Sequence, residues 1–271
     1  MENDQPTQCC GRKRLAGLLA LLALLAAGAL WSGNVRRPAP SAADLTLSGP
    51  AATSRPAGHL RVGTFNIHGG LGIHNQPSLE QIALLLQGLD LVALNEVHGE
   101  MGSNQAAWLG ERLGMPWLFA PTERRWWHDH FGNGLLCSLP VEGWQRFALP
   151  TEGSGGLRNI VLTQVRVGPR VVSVLATHID RGQDRQKQLA TALRVFGMLK
   201  APCVMMGDLN TAGQDPQIQA VLRQEGVIDA AAATQDGQRI DWILVRGLKV
   251  VRAQEVKTDA SDHPMVWAEL Q

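Results

Sequence analysis

The sequence predicts an α/β domain, and three observations carry that expectation. Apolar runs of strand length recur from residue 59 onward, stretches with helical spacing lie between several of them, and six of the strands end on polar clusters. With 271 residues, 45% hydrophobic and 18% charged, the chain has apolar material for one full core plus an extra segment, and collagen, coiled coil and wholesale disorder are excluded. Residues 1–31 hold three of the 25 basic and two of the 24 acidic residues, so the remainder is formally neutral. It offers no bulk basic footprint for nucleic acid, although a local patch is compatible with that balance. The four Cys form no framework. Cys9 and Cys10 precede the apolar segment, while Cys137 and Cys203 stand in apolar, strand-like contexts that suit buried thiols better than a single disulfide.

The amino terminus meets a membrane. Within residues 1–14, Arg12, Lys13 and Arg14 lead 17 apolar residues, Leu15 to Trp31, and charge returns only at Arg36. At about 1.5 Å per residue that stretch reaches roughly 26 Å, a little short of a bilayer core of about 30 Å. Residues 15–31 are therefore a short transmembrane anchor or a long signal peptide cleaved near Ala27-Gly28-Ala29, and the anchor is the favoured reading. Three basic residues precede the segment and only Arg36 and Arg37 follow it, which puts residues 1–14 in the cytoplasm and the domain outside. In a bacterium that means the inner membrane facing the periplasm; a cleaved segment means secretion. Residues 32–58, with Pro38, Pro40, Pro50 and Pro56 among Ala, Ser and Thr, show no sustained period and read as a tether to a domain at 59–271.

Within the domain, His59 to Ile67 reads as a strand ending on Asn66-Ile67-His68-Gly69-Gly70, where two glycines force a turn. Ser78 and Gln81 have capping-box spacing and open a helix to about Gly88. Leu91 to Val97 is a buried strand with Glu96 near its end, and a charge there needs a partner. A helix from about Asn104 to Leu113 is closed by Gly114. Pro116 to Thr122 is a strand and Glu123 to His130 a loop dense in charge and indole; Gly132 to Cys137, Val141 to Leu149 and Arg158 to Val167 are strands again. Gly168-Pro169 makes a hairpin with Val171 to Ile179, and Asp184 to Leu199 has helical spacing, with Leu189, Leu193, Phe196 and Leu199 on one face.

Pro202 to Asn210 is a short apolar run suited to a strand buried on both faces, which Gly207 breaks. Asp208 and Asn210 lie two apart, so on an extended backbone both leave one face. A carboxylate that can take a proton from water then stands beside an amide that can donate to a phosphoryl oxygen. A helix around Pro216 to Glu225 and strands at Ile240 to Leu244, Leu248 to Lys257 and a last one to Leu270 complete the chain.

The polar strand ends are Asn66, Glu96, His178, Asp208 with Asn210, Asp241, and Asp262 with His263. Any one of them alone is an ordinary turn or a satisfied buried group. Together, on strands of packed sheets, they converge on one rim. The ordered set Thr64-Phe65-Asn66-Ile67, Asn95-Glu96-Val97, Gly132-Asn133-Gly134-Leu135-Leu136, Thr177-His178-Ile179-Asp180, Gly207-Asp208-Leu209-Asn210, Ile240-Asp241-Trp242-Ile243 and Ser261-Asp262-His263-Pro264 closely resembles the endonuclease/exonuclease/phosphatase superfamily, from about residue 60 onward.

The resemblance implies a four-layer α/β sandwich, two facing and mostly antiparallel sheets with helices outside, and a divalent-metal phosphoesterase site at the sheets' edge. It makes Glu96 the principal magnesium ligand, with Asn66 beside it and Asp262 as a further or second-site ligand; manganese can substitute. A small set of oxygen ligands suits magnesium, which keeps several waters and also binds phosphate. By the same resemblance Asp208 orients and deprotonates the attacking water and Asn210 holds a phosphate oxygen. His263, oriented by Asp241, stabilises the developing charge or passes a proton; His178 contacts phosphate and serves as acid for the leaving oxygen. Arg158 resembles the phosphate-side arginine. Abasic-site endonucleases of the exonuclease type carry a tyrosine where His178 stands, and this chain has no Tyr. The resemblance therefore points to the branch of deoxyribonuclease, sphingomyelinase and inositol-phosphate phosphatases, and within it to bacterial metal-dependent hydrolases.

The expected activity is hydrolysis of a phosphodiester or phosphomonoester by metal-assisted water attack, by a monomer acting outside the cytoplasm. The alternatives are a DNA or RNA endonuclease of the same fold and a non-catalytic, membrane-tethered domain that binds a phosphorylated ligand. A zinc hydrolase using His128 and His130 lacks the spacing of helical zinc sites, and no Gly-x-Ser-x-Gly elbow supports a serine esterase. Arg124, Arg125, Trp126 and Trp127, with Asn133, are expected to contact substrate, two arginines for an anionic group and two indoles for an interface, sugar or base. A phospholipid, phospho-sugar or other small phosphodiester is expected in preference to duplex DNA.

Overall fold

The computed structural model describes residues 7–34, 37–39, 47–52, 58–100, 103–124, 130–152, 156–234 and 238–271. Helix α1 (Thr7–Asn34) contains a 19-residue apolar stretch, Lys13–Trp31, none of it buried. At about 1.5 Å per residue such a stretch reaches roughly 28 Å, so by length and composition it can cross a bilayer, and a signal sequence meets the same test.

The domain is built on two sheets. One contains β1 (Leu60–Asn66), β2 (Leu91–Glu100), β3 (Trp117–Pro121), β4 (His130–Cys137), β11 (Val250–Val256) and β12 (Met265–Leu270), in the order β11-β12-β1-β2-β4-β3, with the pair Ser103–Asn104 added to β2. The other contains β5 (Val141–Ala148), β6 (Asn159–Val167), β7 (Arg170–His178), β8 (Cys203–Asp208), β9 (Val227–Asp229) and β10 (Asp241–Arg246), in the order β9-β10-β8-β7-β6-β5. Among the described strands, only β1 with β2 and β7 with β8 run parallel. Helices α2 (Leu79–Leu85) and α3 (Gln105–Leu113) cover the first sheet; α4 (Arg185–Met198) and α5 (Pro216–Leu222) cover the second.

Period-2 alternation explains the layering. All six residues of β8 are buried, with Val204 and Met206 facing the other sheet and Cys203 and Met205 facing α4 and α5. The four-layer sandwich is thus helix, sheet, sheet, helix, with one apolar layer at each of three interfaces. Cys137 and Cys203 are free, buried thiols, and burial pushes the Cys137 thiol up to about 12.

Several local expectations change. Ser78 does stand before a helix, but its hydroxyl donates to Ala260 O at 2.7 Å, fastening the helix start to the chain before His263, and caps nothing. Gly207 does not end its strand. Its φ of 146° carries the backbone on to Asp208, and a Cβ there would lie 1.7 Å from Thr177 O on the parallel neighbour. Strand β9 is too short to show in an apolar pattern. Parts of the expected tether rest on the domain: Arg37–Pro38 pairs with Glu123–Arg124, the Ala39 amide donates to Thr122 O at 3.0 Å, and Ser48 bridges to Trp117.

Candidate active site

Strand register assembles the site. His178 pairs with Asp208 across β7 and β8, and Asp208 with Asp241 across β8 and β10, so three strand ends of one sheet put their side chains side by side. On the facing sheet Asn66, the last residue of β1, pairs with Asn95 in the middle of β2, which runs on to Glu100 instead of ending near Glu96 as expected. The two sheets meet where Asn66 Nδ2 donates to Asp208 Oδ2 at 3.0 Å.

Asp208 is almost fully enclosed. Its Oδ1 accepts from the Asn210 amide at 2.8 Å, and its Oδ2 lies 3.4 Å from His178 Nε2 and 3.8 Å from His263 Nε2. Burial raises its pKa to about 7, with the nearby Asp241 charge adding to the rise while His263 and two hydrogen bonds oppose it. His263 donates from Nδ1 to Asp241 Oδ2 at 2.8 Å. Burial alone lowers its pKa, but the bond to Asp241 and the charges of Asp241, Asp208 and Asp262 outweigh this and raise it to about 9. His178 behaves oppositely: burial, then the charges of Arg158, His263 and Arg181, hold it well below the usual imidazole range.

Asn210 reaches Asp208 by a route the sequence did not suggest. The extended backbone stops at Asp208, and Asn210 adopts φ 46°, from which Nδ2 donates to Ile179 O at 2.8 Å and lies 3.2 Å from His178 Nε2. Glu96 also has positive φ, 56°, at a bulge where the pairing of β2 with β4 slips between Leu94 and Val97. Its carboxylate is 29% exposed and stands 4.0 Å from His178 Nε2. Asp262, 55% exposed at the rim, lies 3.8 Å from His68 Nδ1. Arg158 stacks over Phe131 at 5.2 Å, its Nε is buried without a partner among the described residues, and burial lowers its pKa against the pull of Asp180, Glu96 and Asp208.

Asn133 is not part of a contact loop. It lies buried on β4, where its oxygen accepts from Asn95 Nδ2 at 2.9 Å and its nitrogen donates to Asn159 Oδ1 at 2.8 Å, so both ends are committed beneath the site. Arg124 is in the short strand paired with Arg37, and Arg125, Trp126 and Trp127 lie outside the described residues.

Sequence reasoning assigned no role to the residues beneath the rim. Asn95 accepts from the Asp208 amide at 3.0 Å and donates to Thr177 O, bridging the two sheets. Arg239 forms a buried two-pronged pair with Asp229 at 2.8 and 2.7 Å, donates to Asp241 O at 3.0 Å and lies over Trp242. Their sequence signal was adjacency: Asn95 precedes Glu96, and Arg239 stands two before Asp241.

The donor chemistry fits a divalent cation. Glu96, Asp208 and Asp262 offer hard carboxylate oxygens, and ligand atoms of Asp208, Asp241 and His263 come within 4.8 Å of one another. In that last trio the hydrogen bonds already occupy most of the atoms, whereas no hydrogen bond engages the Glu96 carboxylate among the described residues. Among the described residues, the Glu96 carboxylate therefore keeps its oxygens available to a cation.

Residues 63–263 match the model of the Endonuclease/Exonuclease/phosphatase family. The chain is similar in fold to an endonuclease/exonuclease/phosphatase from Beutenbergia cavernae, with 24% identity, TM-score 0.64, and 79% of this chain and 71% of that one covered. It is also similar to D. rerio TDP2 complexed with single-strand DNA product, with 17% identity, TM-score 0.62, and 79% and 99% covered. A third similar structure is a mannosyl-6-phosphatase of Bacteroides thetaiotaomicron, with 16% identity, TM-score 0.62, and 78% and 99% covered. Among curated protein sequences none matches the chain. A family match over most of the domain, on the fold and rim just described, makes this chain a member of the endonuclease/exonuclease/phosphatase family of phosphoester hydrolases.

Proposed function

We propose that the chain is a magnesium-dependent phosphoesterase, with manganese able to substitute, held at a membrane and acting outside the cytoplasm on a small phosphoester. The observation that carries this reading is one rim's geometry: Asp208 stands 3.4 Å from His178 and 3.8 Å from His263, which Asp241 holds at 2.8 Å, with burial raising Asp208 to about 7 and Asp241 helping raise His263 to about 9. Near neutral pH one has begun to lose its proton while the other keeps it.

In this reading Asp208 takes a proton from the attacking water as the new P–O bond forms and the ester P–O bond breaks. His263, fixed by Asp241, presents an imidazolium to the phosphoryl oxygens, and Asn210 and Arg158 donate to them. His178 stays neutral at neutral pH, so it serves as a hydrogen-bonding group, and the acid role expected of it passes to His263. Glu96, with Asn66 and Asp262, would hold the metal, which when bound supplies Lewis-acid neutralisation of phosphoryl charge. The apolar helix behind Arg12, Lys13 and Arg14 supports delivery to a membrane, as anchor or as signal, and the neutral domain supports a small substrate over duplex DNA.

The test is turnover of p-nitrophenyl phosphate and its bis ester with and without chelator. Activity should need magnesium or manganese, and Glu96→Gln should lose metal-supported turnover while remaining folded. Full turnover in excess EDTA would refute the metal assignment.

A further inference from the structure

A cleft of about 410 Å³ opens directly from the catalytic rim, where Asp241, Asp262 and His263 form one end. It runs between the turn at Ile73 and the end of β11, where Glu255, Lys257 and Asp259 line it. That volume lies in the range of about 300–1,000 Å³ typical of small-molecule sites. Its walls are tied in place without a ligand: the Ile73 amide donates to Asp259 O at 3.1 Å, and Ser261 Oγ donates to Asn66 O at 2.7 Å. Two wall residues also carry buried atoms with no hydrogen-bond partner among the described residues, Asp241 Oδ1 and Arg239 Nε.

The charges choose the occupant. Asp241 is committed to His263, the Arg239 head to Asp229 and, in the reading above, Asp262 to the metal, which leaves Glu255 and Asp259 against Lys257. A second phosphate in the cleft would meet like charge, whereas hydroxyl groups can donate to the carboxylates and accept from the ammonium. Ile73, 46% exposed, gives the C–H face of such a group an apolar lip.

We propose that this cleft binds the alcohol half of the substrate, and that this half is a neutral polyhydroxyl group, a sugar or polyol, not a second phosphate or a nucleotide chain. The proposal rests on the phosphoesterase reading for the placement of phosphate at His263, and the two fail separately. The full chain in detergent, carrying Asp208→Asn so that ligands survive, is titrated calorimetrically with orthophosphate, a hexose 6-phosphate, a hexose 1,6-bisphosphate and a dinucleotide. The hexose monophosphate should bind about tenfold or more tighter than the other three, a difference of about 1.4 kcal/mol. The added double change Glu255→Gln, Asp259→Asn should remove most of that preference and leave orthophosphate binding unchanged. In the chain with Asp208 intact, the same double change should leave p-nitrophenyl phosphate turnover unaltered, since that ester has no hydroxyls to engage. Equal binding of the four ligands, or a preference that survives the double change, overturns the cleft assignment even where the simple ester is turned over. A Glu255- and Asp259-dependent preference without turnover of any ester upholds the cleft and overturns the hydrolase.

Discussion

Glu96 sits at φ 56° in an otherwise regular strand, and His68 and Asn210 share its left-handed backbone at 48° and 46°. Non-glycine residues adopt this region at a cost of about 1–3 kcal/mol each and keep it where the surroundings over-determine it. Here the surroundings are specific: Asn66 Oδ1 accepts from the His68 amide, and Asp208 Oδ1 accepts from the Asn210 amide. The two titrating residues make a prediction with a definite sign. Asp208 must be unprotonated to act, so kcat/KM should rise with pH through about 7; His263 must be protonated, so it should fall through about 9. A bound divalent cation pulls the lower limb down. Asp241→Asn removes the charge that raises His263 and leaves at most a neutral, weaker hydrogen bond, and should move the upper limb to lower pH. A profile whose upper limb ignores that substitution contradicts the His263 assignment.

At the scale of elements, strand β8 does the most to place chemistry, and it depends on Gly207. An added methyl would fall 1.7 Å from the Thr177 carbonyl oxygen, and that oxygen is backbone in a paired strand. Gly207→Ala should therefore destabilise the domain by about 4 kcal/mol or more, read as a large drop in thermal midpoint; a change under about 1 kcal/mol would mean the strands are not this close. The strand itself was legible, because a run buried on both faces shows as unbroken apolar sequence, and so was α3, where Asn104 accepts from the Ala107 amide and Gly114 closes at φ 66°. What stayed hidden was whatever depends on a partner distant in sequence. Ser78 has the spacing of a cap but bonds to Ala260, and Asn133, expected to contact substrate, lies under Asn95 and Asn159. The rim residues could be found because each borders an apolar run, whereas Arg239 lies in polar sequence with no period to mark it and Asp229 ends a strand of only three residues.

At the scale of the whole molecule, an apolar helix with no described cover precedes a domain whose residues beyond 31 are formally neutral. A reporter fused after Gln271 should be active outside the cytoplasm and the protein should remain with membranes after a high-salt wash; a shorter soluble form beginning near Leu30 would favour a cleaved signal. The central claim is that the rim between the two sheets hydrolyses phosphoesters with Asp208 as base. The most direct measurement is steady-state turnover of p-nitrophenyl phosphate by the magnesium-loaded full chain and its Asp208→Asn variant. The predicted result is a loss in kcat of about 10²- to 10⁴-fold with KM within a few-fold. A loss of only a few-fold in kcat, with the variant folded, would contradict it.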